Sequence, residues 1–109
     1  MATTYKVLGQ SNPAATTATT LYTVPAATQT VVSTISICNQ ASTAATYRIA
    51  VRVAGSALSA EEYIVYGATV PASDSTFITA GLTLGATDVI TVYASSATLS
   101  FNAYGSEIA

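Results

Sequence analysis

The stretch Thr87–Ile108, TDVITVYASSATLSFNAYGSEI, decides how the rest of the chain is read. Val89, Thr91 and Tyr93 alternate with Ile90 and Val92. Beyond the small polar stretch Ala94–Ala97, Leu99, Phe101 and Ala103 alternate with Thr98, Ser100 and Asn102. Successive side chains of a strand point to opposite sides, so a period of two marks a strand with one face on a core. Two such runs around a tight polar turn predict a hairpin.

Tyr47–Val53 repeats the pattern more cleanly. Tyr47, Ile49, Val51 and Val53 are expected to point inward, with Arg48, Ala50 and Arg52 outward, so two arginines share the solvent face. In Thr30–Asn39, Val31, Ile35 and Ile37 share one face with Ser33, and Val32, Thr34, Ser36 and Cys38 share the other. Shorter strands are expected at Tyr5–Leu8, at Leu21–Val24 before Pro25, and at Thr76–Ala80. Tyr63-Ile64-Val65-Tyr66 is apolar on both faces, as in a fully buried strand or one whose outer face meets a partner. Between Gly55 and Tyr63 the run SALSAEE is too short for a stable helix. It has room for one turn, with Ser59 capping and Glu62 three residues on, as in a capping box. About eight short strands separated by regular turn signals predict an all-β domain, an antiparallel β-sandwich of jelly-roll-like type.

The chain has 109 residues, the size of one domain spanning 1–109, within which the low-complexity run before Leu21 makes residues 1–20 a candidate N-terminal arm, of a composition suited to ordering on docking. Only 7% of the residues are charged, against about 25% in an ordinary soluble domain. The exposed faces are therefore built from Thr, Ser, Ala, Asn and Gln. A neutral surface offers little electrostatic repulsion between copies, which favours stable assembly. Net charge is −2, with Lys6, Arg48 and Arg52 the only cations. Three cations supply neither the basic footprint that nucleic acid requires nor a polybasic membrane anchor. No apolar run approaches the length of a membrane span, and MATTYKVLGQ has no apolar signal core. Synthesis in the cytoplasm without a classical export signal is expected.

No chemistry is legible. Histidine is absent, which removes the commonest general base and metal ligand. The single cysteine, Cys38, reads as a small buried thiol and supplies no zinc-site spacing. Asp74 and Asp88 sit in turns before strands, where a carboxylate caps backbone N–H groups. Glu61 and Glu62 are adjacent, unlike a catalytic pair drawn from separate elements. The expectation is a non-enzyme with no cofactor and no metal. Seven tyrosines, mostly in or beside strands, suit cores and subunit interfaces better than sugar platforms, since tryptophan is absent. The candidate interface residues are Tyr63, Ile64 and Tyr66, the Arg48/Arg52 strand, and Glu61 or Glu62 as inter-subunit partners of those arginines.

The segments YKVLGQSNPAATTATTLYTVPAATQTVVSTISICNQ, TYRIAVRVAG and LTLGATDVITVYASSATLSFNAYGSEI resemble small structural proteins of tailed bacteriophages. The resemblance spans nearly the whole chain and carries no catalytic residue. It implies a place on the virion. One role is a capsid decoration (cement) protein, expected as a trimer that clamps neighbouring subunits of the major capsid protein on the capsid surface. The alternative is a tail or fibre module whose loop tips touch a host glycan or receptor. Decoration calls for a flat partner face and receptor binding for aromatics at loop tips; the strand-borne tyrosines favour decoration.

Overall fold

The computed structural model describes residues 2–109. Nine strands are formed: β1 (Thr3–Ser11), β2 (Thr19–Thr23), β3 (Gln29–Asn39), β4 (Ala45–Arg52), β5 (Tyr63–Val70), β6 (Ser75–Ile78), β7 (Leu82–Leu84), β8 (Val89–Ala94) and β9 (Leu99–Ile108). All pairings are antiparallel. Sheet A runs β1-β9-β3-β6, with β7 also on β3, and sheet B runs β2-β8-β4-β5. Each position along sheet A is thus matched in sheet B by a chain neighbour: 1 with 2, 9 with 8, 3 with 4, 6 with 5. That winding is a jelly roll. The ninth strand arises because β6 and β7 share one position, pairing with Ile35–Cys38 and Thr30–Val32 of β3 respectively.

The expected terminal hairpin does not form. β8 pairs with β2 and β4, and β9 pairs with β1 and β3, so Ser95–Thr98 carries the chain from one sheet to the other. The cause lies in what alternation can report. Ile90, Val92 and Ala94 point into the core from sheet B, and Leu99, Phe101 and Ala103 meet them from sheet A, all fully buried. Two strands of one hairpin and two strands facing across a sandwich carry the same pattern.

β4 behaves as its sequence dictates through Val51, with Tyr47 and Ile49 buried and Tyr47 packed edge-on against Phe101 at 6.2 Å. Val53 departs from the expectation. The strand ends at Arg52, and Val53 begins a 3₁₀ turn with its side chain 66% exposed. β3 departs at its start. A bulge between Val32 and Thr34 adds Ser33 to the strand, so the phase flips: Thr30 and Val32 face the core with Ile35 and Ile37, and Val31 is outside. Cys38 lies on the outer face, half-exposed rather than buried.

Residues 3–11, within the segment read as an arm, form an edge strand of sheet A paired with β9 along its length. Bulges at Leu8 and Leu21 turn both leucines into the core where β1 meets β2. Gly9 is required there, because a Cβ would fall 2.1 Å from the Leu21 carbonyl oxygen.

Polar groups plug both ends of the sandwich. At one end the buried Asn39 amide donates to the carbonyls of Thr43 (2.9 Å) and Val70 (3.1 Å), and its Oδ1 accepts from the Ala41 N–H at 3.0 Å. At the other, the Tyr22 hydroxyl donates to Glu107 at 2.5 Å and lies 2.8 Å from the Thr30 hydroxyl. Glu107 also pairs with Lys6 at 3.0 Å.

Candidate functional site: the aromatic and cationic face of sheet B

The outward residues of β4, β5 and β8 meet on one surface. Arg48 pairs with Tyr66 of β5 on one side and Tyr93 of β8 on the other. Its guanidinium lies 4.2 Å from the centroid of each ring. Each contact of this kind contributes roughly 0.5–1 kcal/mol at an exposed site. The planar cation is thereby oriented without a carboxylate, since the single ion pair among the described residues is Lys6–Glu107.

Tyr63 joins this surface through a backbone irregularity. Strict alternation would place Tyr63 and Tyr66 on opposite faces. Bulges at Ile64 and Gly67 break the β4–β5 register, so Tyr63 pairs with Ala50 and Tyr66 with Arg48, both on the outer face. Their rings meet edge to face at 4.9 Å. Ile64, on the bulge, is 42% exposed and Tyr66 is 65% exposed, so this strand is not the fully buried one. Beside them lies an open pocket of about 590 Å³ lined by Leu58, Ser59, Ala60, Tyr63 and Tyr66.

The loop between β4 and β5 shapes the other half of the face. The Arg52 guanidinium donates to the carbonyls of Ser56 (2.6 Å) and Gly55 (2.9 Å), bending the chain back over the sheet. Asp88 accepts from the N–H groups of Ala54 and Gly85, both at 2.9 Å, and so ties this loop to the turn before β8. Asp74 likewise accepts from the Ser75 N–H at 2.8 Å, so both turn aspartates do the capping expected of them. The single turn at Ala60–Glu62 forms as a 3₁₀ turn with the expected capping box: Glu62 accepts from the Ser59 N–H at 2.9 Å, and also from the Ser56 hydroxyl at 2.6 Å. Glu61 takes the Ser59 hydroxyl at 2.7 Å, and that bond holds its carboxyl below the ordinary glutamate range. Ala50, Thr91 and Val89 are buried although they lie on the outer side of sheet B.

Of the residues singled out in the sequence, the fold brings Arg48, Tyr63 and Tyr66 together and leaves Ile64 exposed on their strand. Arg52, Glu61 and Glu62 instead hold the loop, each bonded within it and none to another as an ion pair. Tyr93 and Leu58 were missed. Tyr93 becomes a neighbour of Arg48 only once the order β8-β4-β5 is known, and no local pattern carries that order.

The geometry defines a class, a jelly-roll sandwich with a strand-built aromatic and cationic surface and a loop-walled pocket beside it. Comparison with protein families, with curated proteins and with solved structures gave no match to the chain.

Proposed function

We propose that the chain is a non-enzymatic structural protein of a tailed-phage virion, a decoration protein that sits on the capsid surface and clamps neighbouring major capsid protein subunits. The observation that carries the reading is Arg48 held between Tyr66 and Tyr93 on a face built from strands. Tyrosine and arginine dominate the residues on which protein interfaces depend, and a guanidinium stacked between two rings is already ordered before a partner arrives. A carboxylate or carbonyl on the capsid protein is the complement it fits. The phage resemblance and the low charge support the same role, and jelly rolls recur in viral capsid domains. Repetition over a lattice lets modest individual contacts act together.

Tyr66→Asp tests the assignment. Tyr66 is largely exposed, and the new carboxylate would stand beside Arg48, so folding is preserved while the guanidinium is neutralised. Binding to undecorated capsids is expected to weaken about tenfold or more, with the melting temperature within a few degrees of the parent. Unchanged binding contradicts the proposal. A second reading, a tail or fibre module that binds a host glycan, is favoured by the open pocket beside Tyr63 and Tyr66. It predicts glycan binding that Tyr66→Asp abolishes and no affinity for capsids.

A further inference from the structure

The opposite face of the molecule has a different character. Every outward position of β1, β9, β3, β6 and β7 carries a neutral side chain. The chain's charges lie on sheet B, in loops, or, as Lys6 and Glu107, at the inner end of the sandwich. Nine large apolar side chains are exposed among the described residues, and five of them project from this one face: Tyr5 (83%), Val7, Val31, Phe77 (67%) and Tyr104. They lie in neighbouring rows of adjacent strands. Val7 is paired with Tyr104, and the next row holds Tyr5, Ser106 and Val31. Phe77 stands across Ser36, whose hydroxyl lies 3.5 Å from that of Tyr104. Hydrogen-bonded Gln10 and Asn102 continue the Phe77 row toward the other edge, at 2.8 Å from each other. An apolar centre with a polar, uncharged rim is the anatomy of a protein interface.

We infer that this face of sheet A docks a second copy of the chain, sheet on sheet, to give a closed pair. Charge selects the partner. A face without charge offers no complement to an acidic or basic surface, whereas an identical face meets it with no ion buried unpaired. A two-fold axis places the patch against itself, which is the self-complementary contact of a symmetric dimer. Area agrees. Sheet A is four strand positions wide, roughly 19 Å, and its long central strands run roughly 33 Å, a flat footprint of roughly 600 Å² and of the same order as the roughly 800 Å² per partner of a stable interface. The inference does not rest on the virion reading, and it leaves the Arg48 face free for a different protein. It replaces the threefold association implied by the phage resemblance with a twofold one.

The test is the mass of the full chain by sedimentation over a wide concentration range, for the parent, Val7→Lys, Phe77→Glu and Tyr66→Asp. The parent is expected near 22 kDa, twice the 11.0 kDa of one chain. Both sheet A variants replace exposed side chains on different strands, so their folds persist, checked by circular dichroism. Each is expected to weaken pairing about tenfold or more, and Tyr66→Asp to leave it unchanged. A parent mass of one chain assigns the face to another partner and overturns the inference. So does a mass of three chains, or a pair that survives both charged variants, or one broken only by Tyr66→Asp. Loss of capsid binding by Tyr66→Asp without loss of pairing separates this inference from the decoration reading.

Discussion

Glu107 is the residue on which the lower end of the sandwich depends. Its side chain is 14% exposed, yet it keeps its charge because the Tyr22 hydroxyl and the Lys6 ammonium both donate to it. Those two bonds, Tyr22 first, hold its carboxyl below the ordinary value of 4.5. A carboxyl depressed in the folded state contributes stability that is fully present above the unfolded value and is lost as pH falls through the folded one. The acid limb of stability should therefore begin below about pH 4.5, and Glu107→Gln should flatten it, measured by denaturant melts across pH 2–7. An unchanged acid limb in the variant contradicts this account. Tyr22 mirrors the effect. Burial, reinforced by Glu107, pushes its hydroxyl up to about 12, so its contribution persists below pH 10 and is lost as pH rises toward that value.

At the scale of elements, β9 carries the strictest requirement. Gly105 lies opposite the β3 bulge, where a Cβ would fall 2.0 Å from the Val31 carbonyl oxygen. β9 sits between β1 and β3, so neither neighbour can retreat without breaking a ladder. Gly105→Ala is expected to destabilise by about 1–3 kcal/mol, read from denaturant unfolding. A melt indistinguishable from the parent contradicts the bulge geometry. The same bulge explains why part of the fold was hidden in the sequence. β4, which keeps strict alternation from Tyr47 to Val51, was legible residue by residue. In β3 the phase was lost at Ser33, because a bulge is a backbone event with no fixed side-chain signature, and Val31 and Val32 were assigned to the wrong faces; Cys38 lies on the expected face, opposite Ile35 and Ile37, and only its burial was misjudged. The bulge at Ile64 hid the convergence of Tyr63 and Tyr66 in the same way. The terminal pair was misread for a different reason: alternation reports which side is buried, not which sheet buries it.

Seen whole, the molecule has two unlike faces separated by one core. Sheet B presents a cation between tyrosines beside a loop-walled pocket, and sheet A presents a neutral apolar field. Composition made the shortage of charge legible. Alternation along β4 put Arg48 and Arg52 on one outer face, but which strands flank them follows from strand order and was not legible. Arg48 and Tyr66 could be nominated from sequence as candidate interface residues; their stacking with Tyr93 could not. A protein with one face for itself and another for a lattice would be present on the particle in proportion to that lattice. The deciding measurement is its copy number in purified virions by quantitative mass spectrometry, relative to the major capsid protein. A count comparable to the capsid protein is expected for a decoration protein; a few copies per particle, or none, would rule that role out.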